Sequence, residues 1–140
     1  MTLNLPSALI ALSAAILLFL GSAHLLFTFR GNKFDPRDAQ LKVRLMEVSP
    51  VITRQATMWR AWVGFNASHS YGAMLFGLVY GYLALLHSAF LLESWFLLGL
   101  GLLTLAGYLV LARLYWFSVP LRGVSLAAVL YLLGLVVRFA

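Results

Sequence analysis

Four segments of the sequence are apolar over about the length that a helix needs to cross a bilayer. They run from 8 to 29, 62 to 86, 92 to 115 and 121 to 139. About 20 helical residues cross roughly 30 Å of hydrocarbon, so each segment is long enough to span it. None of them alternates between polar and apolar residues as the strands of a membrane β-barrel do. The sequence therefore predicts an all-α integral membrane protein, with residues 1–140 forming a single transmembrane four-helix bundle.

The composition agrees with a membrane environment. Apolar residues make up 63% of the chain and charged residues 10%, whereas soluble domains have about 45–50% and about 25%. A soluble protein of this size would leave much of that apolar surface in water. The chain also has no cysteine, which excludes disulfides, thiolate catalysis, zinc–cysteine sites and covalently attached c-type haem.

The basic residues are distributed unevenly between the two ends of the predicted spans. Seven lie between the first and second segments and two between the third and fourth, whereas Arg138 alone lies on the opposite side. The positive-inside rule predicts that the two basic connections face the cytoplasm and that both termini lie outside. We expect a multi-pass protein of the cell membrane, with a bacterial inner membrane as its location. The net charge of +6 favours anionic lipid headgroups as a partner, not nucleic acid.

The connection from Arg30 to Arg60 is the one long polar part of the chain. Asp35 and Pro36 predict a helix N-cap followed by proline at the first helical position. Apolar residues then recur at helical spacing within 41–48, which predicts a short amphipathic helix on the cytoplasmic surface. Residues 41–45 also alternate in polarity, so a strand and a solvated connector remain alternatives.

Polar side chains inside the predicted spans are the candidates for function, because burying them in lipid is costly. His24 of the first span lies about 8 Å from its cytoplasmic end, and His69 of the second span lies at a similar depth. Tyr108 of the third span lies at a similar depth again. We therefore predict a polar layer in the cytoplasmic leaflet. The residues predicted to bind a ligand there are His24, Asn66, His69, Ser70, Tyr108 and Trp62.

The second span also carries small side chains along one face. Gly77 and Gly81 form the small-xxx-small pattern that lets two helix backbones approach closely. The same face continues through Ser70 toward Asn66. The pattern predicts a helix–helix contact at the two glycines.

Three functional hypotheses fit the polar layer. The first is a protein that binds a lipophilic small molecule or a membrane partner, the latter in a homo- or hetero-oligomer. The second is an electron-transfer or accessory subunit in which His24 and His69 hold haem b, because neutral imidazoles are good axial ligands; no other metal is expected. The third is an enzyme acting on an isoprenoid or sterol-like lipid, with a histidine as acid or base. Its catalytic candidates are His24, His69, Asn66 and Tyr108.

The positions of the acidic residues argue against several other classes of membrane protein. Asp35, Asp38 and Glu47 lie in the long connection, and Glu93 lies at the outer edge of the third segment. The spans therefore lack the embedded acid of a small proton-coupled exporter and the inward glutamates of a di-iron bundle. A hydrolase triad lacks its acid for the same reason, and no nucleotide-binding or zinc-protease motif is present.

The run from Trp59 to Gly81, with His24-Leu-Leu-Phe-Thr-Phe29 before it, resembles a group of small, functionally uncharacterised bacterial membrane proteins with four hydrophobic segments. That resemblance covers most of the chain and implies no activity. The chain is also similar in architecture to the emopamil-binding-protein superfamily, in which a membrane histidine, carboxylates, asparagine and tryptophan surround a sterol cation. This second similarity implies architecture only, because the spans here contain no counterpart of those carboxylates.

Overall fold

The computed structural model describes residues 4–140. All regular structure in this range is helical. The helices are α1 (Leu5–Phe29), α2 (Ala39–Glu47), α3 (Met58–Leu86), α4 (Ser88–Glu93), α5 (Trp95–Tyr115) and α6 (Ser118–Phe139). Four of these helices, α1, α3, α5 and α6, are long and apolar enough to cross a membrane. The prediction of an all-α, multi-pass membrane protein with four spanning helices is therefore confirmed.

The spanning helices differ from the predicted segments at their N-terminal ends. Three of them, α1, α3 and α6, begin three or four residues before the apolar runs, because helical geometry continues through interfacial residues that hydropathy leaves out. In contrast, α5 begins at Trp95, where the Ser94 side chain caps the helix by accepting a hydrogen bond from the Leu97 backbone N–H. The sequence prediction left most of the short helix α4 in the connection between the second and third segments and assigned its last two residues to the third segment.

The long connection contains the predicted short helix, so the strand alternative is wrong. The predicted cap at Asp35 and Pro36 is also wrong, because α2 begins after Asp38. The Asp38 carboxylate accepts hydrogen bonds from the backbone N–H groups of Gln40 at 2.8 Å and Leu41 at 3.3 Å, which is how an aspartate N-cap works. Every residue of α2 keeps part of its surface exposed, as an amphipathic helix on a surface would.

By its internal contacts the chain divides into two compact units. The first unit contains α1 up to Leu20 and the chain from Ala73 onward, and the second unit is residues 21–72. The first unit has a buried core to which all four spanning helices contribute. Its members include Ile10, Leu17, Ala73, Tyr80, Leu105, Ala127 and Tyr131.

Two buried phenols tie the helices of the first unit together. The Tyr80 hydroxyl of α3 donates to the Leu97 carbonyl at 2.6 Å, and the Tyr131 hydroxyl of α6 donates to the Leu98 carbonyl at 2.9 Å. Both carbonyls belong to the first turn of α5. A buried hydroxyl without a partner would be costly, so these bonds let aromatic side chains fill the core.

Glycines allow the closest approaches in the first unit. A Cβ atom added to Gly77 would lie 2.6 Å from the Leu18 Cβ and 2.7 Å from the Ala14 carbonyl oxygen, far inside van der Waals contact. At Gly81 the nearest atom would be the Ala14 Cβ at 3.8 Å. The predicted helix–helix contact at these two glycines is confirmed, and α1 is the partner helix.

The second unit consists of the last turns of α1, the connection with α2, and the first half of α3. Gly31 ends α1 with a φ of +86°, a left-handed conformation that glycine adopts without steric cost. The connection is fastened to α3 at two points. The Trp62 indole donates to the Phe34 carbonyl at 3.2 Å, and the Met58 N–H donates to the Val48 carbonyl at 2.8 Å.

Candidate functional site

Three of the predicted site residues come together in the second unit. His24 lies near the end of α1, and Asn66 and His69 lie three residues apart on α3. The His24 Nε2 atom is 3.0 Å from the Asn66 Oδ1 atom. The centroids of the His24 and His69 rings are 5.3 Å apart, with the rings edge to face at 70°. All three side chains are half-buried, so the similar depths counted along the two helices correspond to an actual cluster, here called the His–Asn cluster.

The hydrogen bonds of Asn66 fix the direction of the His24 contact. The Asn66 Nδ2 atom donates to the Trp62 carbonyl at 2.8 Å, one turn earlier on α3. The amide oxygen is therefore the atom that faces His24, and it can only accept. In the neutral ring of His24 the proton then resides on Nε2, and Nδ1 is the acceptor nitrogen.

Ser70 and Trp62 support the cluster from α3. Ser70 is fully buried, and its hydroxyl donates to the Asn66 carbonyl at 2.9 Å. The Ser70 hydroxyl is therefore hydrogen-bonded within its own helix. Trp62 is 47% exposed and holds the connection through Phe34, as described above. Ser70 and Trp62 therefore help to position the His–Asn cluster.

Tyr108 belongs to the first unit. Its ring centroid lies 6.0 Å from that of Trp116. Thr104, one turn earlier on the same helix, donates its hydroxyl to the Leu100 carbonyl at 2.8 Å. The place of Tyr108 in one ligand-binding layer with the histidines stays a prediction.

A small cavity lies beside the cluster and brings in residues that the sequence prediction missed. It has room for about one water molecule. Its lining consists of Phe27, Thr28, Gly31, Phe34, Asp35, Trp59, Trp62, Val63 and Asn66. The Phe34 ring also packs on His24, with centroids 4.5 Å apart. Phe34 is the single aromatic residue between Arg30 and Thr57, and this isolation in a basic connection is the signal that could have identified it.

The rim of the cavity carries lysine side chains. The Lys42 ammonium forms an ion pair with Asp35 at 2.7 Å and lies 5.0 Å from the centroid of the Trp59 ring. The Lys33 ammonium lies 3.6 Å from the centroid of the Phe27 ring. The Lys42–Asp35 pair is partly buried, and the two contacts of Lys42 place α2 beside the aromatic lining. The one carboxylate of the lining is thus already neutralised by Lys42.

The ring geometry gives the haem hypothesis no support. The two imidazoles touch each other, and the His24 Nε2 atom is occupied by Asn66, so the rings do not flank a gap that a porphyrin could enter. Among residues 4–140, no group of three or more histidine, cysteine, aspartate or glutamate side chains is arranged to hold a metal ion.

Comparisons with protein-family models, with curated proteins and with solved structures found no significant match. The chemistry of the cluster is therefore the basis for a function. Two imidazoles and an amide supply hydrogen-bonding groups, and the phenyl and indole rings supply an apolar wall. This combination suits binding of a molecule that is apolar over most of its length and polar at one end.

Proposed function

We propose that this multi-pass membrane protein binds a lipophilic small molecule, whose polar head is hydrogen-bonded by the His–Asn cluster. The observation that carries the proposal is the His24–Asn66 hydrogen bond at 3.0 Å with His69 against the same ring. Polar side chains within membrane spans are costly and mark ligand sites by default. Here they come from two helices and meet beside an aromatic cavity.

The residues that line the cavity favour a ligand-binding role for the His–Asn cluster over a purely structural one. A single interhelical hydrogen bond is enough to join two helices, whereas this cluster has a second histidine and adjoins a cavity lined by Phe34, Trp59 and Trp62. Phe34 lies on the connection and contacts His24 directly. Displacement of Phe34 would open the cavity toward the cluster, so the connection acts as the entrance.

The charges around the cavity define which head groups fit. Asp35 is paired with Lys42, and the connection has an excess of basic residues. A cationic head would meet repulsion there, whereas a hydroxyl or carbonyl head can bond to neutral histidine as donor or acceptor. We propose a neutral or anionic amphiphile with such a head. The nine-to-one distribution of basic residues supports a site in the cytoplasmic leaflet, with both termini outside.

The test is the identity of what co-purifies with the protein. Wild type and three variants, Asn66→Leu, His69→Gln and Ser68→Ala, are extracted in a mild detergent, and bound lipids are identified by mass spectrometry. Ser68 is the matched control, because its exposed hydroxyl bonds only to the Phe65 carbonyl of its own helix. We expect one lipophilic species to fall by about tenfold in the two cluster variants, the effect of about 1.4 kcal/mol, and to stay at the wild-type level in Ser68→Ala.

Two outcomes would contradict the proposal. One is a lipid profile that is the same in all four proteins. The other is loss of the species only in step with loss of helicity and of the monodisperse elution peak, which would make the cluster a structural contact between helices.

A further inference from the structure

A second, open groove lies next to the first cavity on α3 and shares Trp59 and Val63 with its lining. Its lining is Phe29, Trp59, Arg60, Val63, Gly64 and Ala67. Its volume is about 410 Å³, and it is open to the surroundings over most of its extent. Gly64 lies at the bottom of the groove and has no side chain to fill it. A Cβ atom placed there would have nothing within 4 Å. The groove is therefore open above Gly64, on a helix that is long and apolar enough to cross a membrane.

The end of the groove is positively charged. Arg60 lies in the first turn of α3 with its side chain exposed. The ion pairs among residues 4–140 are Lys42 with Asp35 and Arg44 with Glu47, so Arg60 is in neither of them. The remaining acidic residue of the connection, Asp38, caps α2. Among residues 4–140, Arg60 therefore forms no ion pair with a carboxylate, and its planar guanidinium is suited to phosphate oxygens.

We propose that this groove binds one anionic glycerophospholipid, with the phosphate at Arg60 and an acyl chain along Val63, Gly64 and Ala67. Arg60 and Ala67 are about 10 Å apart along the helix axis, so the chain would run from the interface into the hydrocarbon. Trp59 and Phe29 flank the charged end, at the depth where aromatic side chains meet headgroups. This lipid site contains none of the three side chains of the His–Asn cluster, although it shares Trp59 and Val63 with the lining of the cavity beside them.

Charge favours a lipid over a second copy of the chain. Glycine and alanine on a helix surface also permit helix pairing. Two copies in one membrane, however, have the same orientation, so a symmetric pair through this groove would bring two Arg60 guanidinium groups together at one depth. Like charges that meet in this way oppose association, whereas a phosphate would neutralise the guanidinium.

The experiment is native mass spectrometry of the purified protein, titrated with an equal mixture of phosphatidylglycerol and phosphatidylcholine. The groove variants are Arg60→Gln and Gly64→Leu. Their matched controls are Arg113→Gln, at the end of α5, and Gly99→Leu, where an added Cβ also meets nothing within 4 Å. We expect wild type and both controls to prefer phosphatidylglycerol by about fivefold, the usual effect of one basic side chain near an anionic lipid.

In Arg60→Gln the preference should disappear, and in Gly64→Leu the first bound lipid of either type should be lost. The proposal is overturned if Arg60→Gln keeps the wild-type preference, or if Arg113→Gln loses it equally. It is also overturned if inorganic phosphate binds at Arg60 without competing with phosphatidylglycerol. A dimer that becomes a monomer in Gly64→Leu would identify a second copy as the occupant instead. Should Gly64→Leu fail to fold, Arg60→Gln at the exposed end of the groove decides the question alone.

Discussion

The Asn66 side chain joins α1 to α3 in the second unit, because its oxygen accepts a hydrogen bond from the His24 Nε2 atom at 3.0 Å. Its nitrogen is bound to the Trp62 carbonyl of its own helix at 2.8 Å. Both polar atoms of the Asn66 amide are therefore hydrogen-bonded. The bond to the Trp62 carbonyl, within α3, sets the orientation of the amide independently of His24. A ligand at the cluster would find the acceptor nitrogen of His24 and the His69 ring already positioned.

The first prediction concerns the strength of this contact. Asn66→Leu should lower the free energy of unfolding by about 0.6 kcal/mol, and by no more than about 1.7 kcal/mol, which are the average and the largest values for interhelical hydrogen bonds in a membrane protein. Unfolding in mixed micelles of a denaturing and a mild detergent measures it. His24→Leu alone and the double variant complete a cycle, in which the two single effects should not add. Strict additivity would show that the two side chains do not interact.

The second prediction compares two glycines on one face of α3. Gly77→Ala should destabilise the protein by about 1–3 kcal/mol, because its Cβ would lie 2.6 Å from the Leu18 Cβ in a packed interface. Gly81→Ala is the matched control, since its nearest neighbour would be at 3.8 Å, and alanine favours a helix. We expect unchanged or higher thermal stability for Gly81→Ala in the same detergent. Equal melting temperatures for the two variants would contradict the close contact with α1.

The third prediction concerns the buried phenol of α6. Tyr131→Phe should lower the free energy of unfolding by about 0.5–1.5 kcal/mol, because it removes the hydrogen bond to the Leu98 carbonyl at 2.9 Å but keeps the ring in the core. Detergent-induced unfolding followed by circular dichroism measures the change. Tyr115→Phe is the control, since Tyr115 is 75% exposed, and it should unfold as wild type does. A loss of stability in the control equal to that in Tyr131→Phe would contradict the role assigned to the buried bond.

The sequence was sufficient to predict the four long helices, because a membrane span is recognisable from its apolar composition and length. About 20 apolar residues in a row leave few alternatives to a helix, and all four spans were found. The sequence was insufficient at the helix ends, because single hydrogen bonds determine the residue at which a helix begins. The sequence predicted the cap at Asp35, whereas in the structure Asp38 accepts the two backbone N–H groups and Asp35 pairs with Lys42.

The candidate site, too, could be predicted from the sequence only in part. Counting 1.5 Å per residue from the ends of the spans placed His24 and His69 at one depth, which their contact bears out. Depth says nothing about rotation around a helix axis, so it could not show that Ser70 bonds to its own helix. It also could not find Phe34, whose contact with His24 depends on the turn at Gly31 and on the hydrogen bond from Trp62.

The last prediction tests the orientation in the membrane. Gln40 lies on α2 and His87 lies between α3 and α4, and both are exposed. The positive-inside rule places the connection with Gln40 in the cytoplasm and His87 outside. Since the chain has no cysteine, Gln40→Cys and His87→Cys each introduce a single thiol. In intact cells an impermeant maleimide should label His87→Cys only, and Gln40→Cys should react only after the membrane is opened. Leu103→Cys, a 70% exposed position in the middle of α5, is the control that should stay unlabelled in both conditions. Labelling of both test positions in intact cells would overturn the topology, and with it the cytoplasmic placement of the His–Asn cluster.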